Sequence, residues 1–341
     1  MDRVSPVPVL DRLARPLRDL RVSVTDRCNF RCRYCMPRER FGADHAFLPR
    51  AELLDFDEIT RLVTIFARLG VVKVRLTGGE PLVRRDLPTL VAAVAAVPGI
   101  EDVAMTTNAS LLAPLAADLR AAGLSRLTVS LDTLDPQRFT TVADVAIPLA
   151  QVLAGIDAAR SAGFRPLKIN AVLKRGVNED DVEPLVEYAR EHGDVIRFIE
   201  YMDVGTTNGW NGAEVVPAAE VLARVSARHP VEPLEPTYPG EVAARYRFLD
   251  GQGELGLIGS VTRPFCRSCT RARLTAVGEL YTCLFAARGR DVRGLLRGGA
   301  TDEQLLQAIG GVWAARTDRY SELRAQGHDP SPRAEMSYLG G

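Results

Sequence analysis

The sequence predicts an α/β chain organised as a partial, open TIM-type barrel of six βα units with a C-terminal extension. Three observations lead there. Short β-rich runs alternate with longer amphipathic ones from residue 19 to about 200. There are six such runs, too few for a closed eightfold barrel. Polar motifs follow directly after the runs, where the βα loops of such a fold converge on one face.

The candidate strands are 19–25, 71–77, 102–107, 126–131, 166–172 and 194–200. Between the first two, Phe56, Ile59, Leu62, Val63, Phe66 and Leu69 recur at helical spacing. Alanine- and leucine-rich stretches near 87–97, 112–122 and 150–162 have the same character. Gly70, Gly123 and Gly163 stand where helix C-termini favour glycine. After residue 200 the alternation decays, and Pro230, Pro233, Pro236 and Pro239 punctuate an extended stretch. The expected division is a barrel domain over 1–228, including the N-terminal segment 1–18, and a C-terminal domain over 229–341. The latter holds candidate strands near 242–250 and 272–282 and a helical pattern at about 301–315.

A chain of 341 residues with 46% hydrophobic content can bury a sizeable core. Basic and acidic residues number 43 each, so no global field attracts nucleic acid or an anionic membrane surface. The N-terminus lacks a secretion signal and no apolar run is long enough to span a bilayer, which points to the cytoplasm.

Six cysteines fall in two tight groups, Cys28, Cys32, Cys35 and Cys266, Cys269, Cys283. Clustering of this kind favours metal ligation over disulfides. The first group places three thiolates on one loop, the usual ligands of iron-sulfur clusters. Three protein ligands on a cubane leave one iron open to an external molecule, as an open position makes a metal catalytic. Spacing alone is also compatible with a structural zinc site completed by a remote residue such as His45. The second group is interleaved with Arg263, Arg267, Arg271 and Arg273, whose guanidinium forks suit phosphate. Read by itself, it is also compatible with a zinc knuckle beside a solvated basic face.

The loop CNFRCRYC, with an aromatic residue just before its last cysteine, resembles that of the radical S-adenosylmethionine superfamily. The resemblance implies a 4Fe-4S cluster on Cys28, Cys32 and Cys35 whose open iron chelates S-adenosylmethionine. An electron from that cluster would cleave the sulfonium bond to a 5′-deoxyadenosyl radical. It also implies cofactor contacts from Tyr34, from Gly79 in TGGEP (77–81), from Ser130 and from Met202. In that run Glu80 offers an acceptor for an ammonium group.

The segment FCRSCTRARLTAVGELYTCLF (265–285), with RVSVTDRCNFRCRYCMP, TGGEPLVRRDL, RFIEYMDVG and the terminal Gly340-Gly341, closely resembles the GTP 3′,8-cyclase family of molybdenum cofactor biosynthesis. The likeness runs from about residue 17 to the last. It implies a second 4Fe-4S cluster on Cys266, Cys269 and Cys283 whose open iron binds the guanine of GTP. Arg21, Arg75, Thr106, Lys168, Arg271 and Arg273 match that family's nucleotide contacts. The reaction implied is conversion of GTP to 3′,8-cyclo-7,8-dihydro-GTP, with an external electron donor, a homodimer, and hand-over to cyclic pyranopterin monophosphate synthase. Alternation along PLKIN and around Arg75 independently turns Lys168 and Arg75 toward the barrel mouth. Gly340 and Gly341 are small enough to thread beside these cations. Asn108, Asp132, Glu200 and Asp203 read as scaffold or remain unassigned. The stretch 138–153 departs from the basic, polar loop of the family, so no substrate contact is expected from it. The alternatives are a peptide-modifying radical enzyme with an auxiliary cluster and a zinc-stabilised binding protein.

Overall fold

The computed structural model describes residues 8–324 and 333–340. In chain order it contains β1 (Asp19–Ser23), α1 (Phe56–Arg68), β2 (Lys73–Thr77), α2 (Leu87–Ala95), β3 (Asp102–Thr107), α3 (Ala116–Ala121), β4 (Arg126–Ser130), α4 (Pro136–Ala143), α5 (Leu149–Ser161), β5 (Lys168–Leu173), α6 (Val182–His192), β6 (Val195–Glu200) and α7 (Ala218–Arg228). There follow β7 (Val231–Leu234), β8 (Ala244–Phe248), β9 (Glu254–Ile258), β10 (Arg271–Leu274), β11 (Glu279–Tyr281), β12 (Arg290–Asp291), α8 (Arg293–Arg297), α9 (Asp302–Ala314), α10 (Tyr320–Arg324) and α11 (Met336–Leu339).

The six strands expected from alternation are β1 to β6, paired in parallel and in sequence order. The sheet does not close. Strands from beyond the expected boundary at residue 228 continue it on both edges: β10 lies parallel against β1, and β9 parallel against β6. The order β12-β11-β10-β1-β2-β3-β4-β5-β6-β9-β8-β7 therefore joins both halves of the chain in one sheet. An open six-stranded barrel has two exposed edges, and the late strands cover them.

Local sequence explains the elements. Helix α1 begins with a capping box in which Asp55 and Glu58 satisfy each other's backbone N–H groups, and α9 repeats the device with Thr301 and Gln304. Helices α4, α6 and α7 were not anticipated, although Val182, Leu185, Val186 and Ala189 recur at helical spacing along the buried face of α6. The start of α4 was nonetheless legible, because Asp135 accepts from the Arg138 N–H and Pro136 sits in the first turn.

The two faces of the sheet differ in kind. Leu20, Val22, Val74, Leu76, Val103, Met105, Leu127, Val129, Ile169 and Ile196 join helix residues such as Leu62, Phe66, Leu90 and Ile156 in one buried cluster. Each such aliphatic side chain contributes about 1.5–3 kcal/mol on burial, so this layer holds the fold together. The alternate residues Arg21, Arg75, Thr106, Ser130, Lys168 and Arg197 face a cavity instead.

Candidate active site

The first cysteine triad sits on the loop leaving β1. Its shape is set by hydrogen bonds within the loop and by two neighbouring segments. The Phe30 N–H donates to the Cys28 Sγ at 3.4 Å, and Arg31 reaches back to donate to the Cys28 and Phe30 carbonyls at 2.7 and 2.8 Å. From one side, Gly79 lets the loop after β2 lie against the cysteine loop: a Cβ there would overlap the Arg27 carbonyl and stand 2.9 Å from the Cys28 nitrogen. From the other side, the divergent stretch does structural service. The Ala143 and Val142 carbonyls accept from the Arg31 and Arg33 N–H groups at 2.9 and 3.2 Å, and Phe139 packs edge-on against Phe30.

Glu80 was expected to offer an acceptor to a ligand; it lines the cavity, and its oxygens also find partners inside the protein. They accept from the Thr107 hydroxyl at 2.6 Å, the Asn108 N–H at 2.7 Å and the Leu82 N–H at 3.1 Å. The carboxyl thus ties the loop after β2 to the loop after β3. Burial raises its pKa to about 7, with those three bonds opposing. Asp132 holds Tyr34 by accepting from its hydroxyl at 2.7 Å while also accepting from the Val172 N–H at 2.8 Å. Burial lifts its pKa to about 6. Asn108 and Asp132 thus tie neighbouring loops together while also lining the cavity, as does Glu200, which accepts from the Ala218, Val261 and Thr262 N–H groups.

The second triad lies around β10 and β11. The Phe285 N–H donates to Cys283 Sγ at 3.5 Å, and an Arg271 guanidinium N–H donates to Cys269 Sγ at 3.3 Å. Burial pushes Cys28, Cys35 and Cys283 up to about 12. For Cys269 burial works the same way, but the Arg271 and Arg316 charges overcome it and bring the thiol down to about 6. All six cysteines are free and half-buried.

One cavity of ≈ 330 Å³ collects both triads, within the range of small-molecule sites. Tyr34, Gly79, Ser130 and Met202 line it, together with Arg21, Arg75, Thr106, Lys168, Arg271 and Arg273. The expectation placed the chemistry just beyond the C-terminal strand ends. The cavity instead continues down the inner face of the strands, reaching Asp19, Lys73 and Arg126 at strand starts. Charged inner positions leave room that apolar layers fill in a closed barrel.

Thr106 accepts from Arg75 at 3.1 Å, as does Thr128, so Thr106 aims a cation as well as lining the site. Burial, then Arg197 and Arg126, push Lys168 down to about 7. The sequence reading missed Lys73, Arg126, Arg197 and Tyr238. Arg197 donates to Asn170 at 2.8 Å, and burial beside Arg75 lowers its pKa to about 9. Alternation along VIRFIE, applied as it was to Lys168, would have found it. Tyr238 lies on the connection between β7 and β8, where no motif marked it.

The C-terminal strap crosses this site. Arg273 donates to the Gly340 carbonyl, and a Cβ on Gly340, whose φ is +71°, would overlap the Thr77 hydroxyl. Gly341 lies outside the described residues. Asp203, one residue beyond Met202, pairs with Arg324 and Arg333 and accepts from the Tyr320 hydroxyl at 2.6 Å. Glu335 accepts from Thr206 and Thr207. The strap is thus fastened to the loop after β6.

Two family models match the chain: Radical SAM superfamily over residues 22–189, and Molybdenum Cofactor Synthesis C over residues 194–322. A curated GTP 3′,8-cyclase of Acidothermus cellulolyticus is 58% identical, over 98% of this chain and 99% of its own length. The chain belongs to the GTP 3′,8-cyclase family. Further members from Xanthomonas axonopodis pv. citri and Staphylococcus aureus (strain MRSA252) are 52% and 46% identical, each over 98% of this chain and 99% of theirs. The solved structure of HydG, a maturase of the FeFe-hydrogenase, is 14% identical and aligns with a TM-score of 0.47 over 60% of this chain and 47% of its own.

As a GTP 3′,8-cyclase family member of the radical superfamily, the chain is an enzyme that uses S-adenosylmethionine and a 4Fe-4S cluster. The first triad fits such a cluster: three free thiols face the cavity, and a backbone N–H donates to one sulfur. Among the described residues no group of three His, Cys, Asp or Glu is disposed to hold a single metal ion. His45, the remote zinc ligand considered above, packs between Phe41 and Phe47. Among the described residues no helix is long and apolar enough to cross a membrane.

Proposed function

We propose that this chain converts GTP to 3′,8-cyclo-7,8-dihydro-GTP in molybdenum cofactor biosynthesis, with a second 4Fe-4S cluster on Cys266, Cys269 and Cys283 as part of the substrate site. The observation that carries the reading is the shared cavity, which has three free thiols at each of two places and cations along its wall. When bound, the first cluster supplies the electron that cleaves S-adenosylmethionine.

The chain's own residues divide the remaining work. Tyr34, Gly79, Ser130 and Met202 hold S-adenosylmethionine beside the first triad. Arg21, Arg75, Lys168, Arg271 and Arg273 take the triphosphate through charge-assisted hydrogen bonds, Thr106 keeps Arg75 aimed, and Arg197 joins them. The Arg271 N–H to Cys269 Sγ supports a thiolate at the second triad. Gly340, held by Arg273 and flanked by Gly341, helps exclude water from radical chemistry that water and side reactions would quench. Family membership supports an external electron donor and delivery of the product to cyclic pyranopterin monophosphate synthase. The expected C-terminal domain, 229–341, then supplies the second cluster and the closing strap.

Anaerobic reconstitution tests the reading. Two clusters require about eight irons per chain, and the reconstituted enzyme with a reductant and S-adenosylmethionine should consume GTP. About four irons, or no GTP consumption, refutes it.

A further inference from the structure

We propose that Arg15 and Arg316 are positioning residues of the second cysteine triad, so that this metal site is completed by segments from near both ends of the chain. The proposal rests on the reading of that triad as a cluster site.

Arg15 precedes β1, and Arg316 follows α9. Both are buried, 2% and 4% exposed. Each donates to the carbonyl of a cysteine of the triad: Arg15 Nη1 to Cys266 O at 2.7 Å, and Arg316 Nη1 to Cys269 O at 2.7 Å. Arg15 Nη1 also donates to the Asp318 carbonyl at 2.8 Å. The carboxylate of Asp318 accepts from the Thr282 hydroxyl at 2.6 Å, next to Cys283, and from Arg316 Nε at 3.3 Å. Asp11 sits between the two guanidiniums, 2.6 Å from Arg15 Nε and 3.4 Å from Arg316 Nη1. Each cysteine, or its immediate neighbour, is thereby held to the same four-residue network.

A buried guanidinium is costly unless its donors are satisfied, and a hydrophobic pair could join the chain ends as firmly. Yet Arg15 Nη2 has no hydrogen-bond partner among the described residues, so tying the chain ends together does not use the whole fork. The bonds that are made go to the backbone of the ligating residues, which is where a ligand's orientation is set. Charge follows the same pattern. Arg15, Arg316 and Arg271 stand around this triad, and positive charge near a cluster stabilises its reduced form.

The test uses the full-length enzyme reconstituted anaerobically, as wild type, Arg15→Gln, Arg316→Gln and a control, Arg160→Gln, which breaks a buried ion pair with Asp194 far along the chain. Iron per chain should fall from about eight toward about four in the two test variants. The S-adenosylmethionine-responsive paramagnetic signal of the first cluster should remain, and any residual second cluster should show a more negative midpoint potential. Arg160→Gln should keep all its iron. Should the Gln variants fail to fold, Arg15→Lys and Arg316→Lys keep the charge without the fork, and partial loss of the second set of irons is expected. Full iron with an unchanged potential in the variants overturns the proposal, as does equal iron loss in Arg160→Gln. About four irons in the wild type overturns the two-cluster reading itself and is distinguishable from either.

Discussion

The two cysteine triads present the same number of thiols to the same cavity, yet they are built in opposite ways. The first is held by neighbours close in the barrel order, the loops after β2 and β3 and helix α4, and the charged groups near its sulfurs are the carboxyls Glu80 and Asp132 together with Arg31. The second is held across the chain by arginines, with Arg271 and Arg316 drawing Cys269 down to about 6. Carboxyls thus predominate beside the first triad and guanidinium groups beside the second. Equal thiol counts conceal this difference. It resides in what surrounds each triad.

The largest test of that contrast removes a ligand from each side. Cys35→Ser should abolish cleavage of S-adenosylmethionine, whereas Cys283→Ser should abolish GTP conversion while leaving cleavage measurable as 5′-deoxyadenosine. Equal loss in both variants would mean that the sites are not separable. A second test is steric: Gly79→Ala forces a methyl against the Arg27 carbonyl, at a cost of about 1–3 kcal/mol. Iron analysis should find the first triad depleted and the second filled, with a lowered melting temperature.

A third test concerns the cations between the triads. The Lys168 ammonium, pushed down to about 7, regains its proton when a triphosphate binds, so GTP affinity should weaken as pH rises above 7 and level off below it. Without ligand the sign reverses for stability. The folded state binds fewer protons than the unfolded one from about 7 up to the ordinary lysine range, so stability from this group grows with pH there. Binding titrations across pH should show the slope in wild type and lose it in Lys168→Arg, whose charge is permanent. The smallest effect is expected from Glu335→Gln, which weakens the strap's partly exposed fastening to Thr206 and Thr207 by roughly 1 kcal/mol. Hydrogen exchange should rise at residues 333–340, with a modest increase in the KM for GTP.

Much of the fold was legible. The six strands of the barrel match their alternating runs closely because each has one face under helices and one toward the cavity, a pattern that period-2 spacing records. The helices that escaped notice were legible in principle, α4 from its Asp135 cap and α6 and α7 from apolar residues repeating at helical spacing, such as Val182, Leu185, Val186 and Ala189. Tyr34, Gly79 and the six cysteines were legible because their spacing is local. Arg197 was legible in principle. Tyr238 and Lys73, which meet at 3.1 Å across 165 residues, were not.

By itself, then, the sequence determined the βα alternation, the two thiol triads and the arginines beside the second, since each depends on residues near one another along the chain. Only the tertiary structure decided that strands of the C-terminal half close both edges of the barrel, that the cavity runs down its inner face, and that Asp11, Arg15 and Arg316 meet behind the second triad. Those contacts join residues up to about 305 positions apart. Their partners are chosen by strand order and burial, and no local spacing records either.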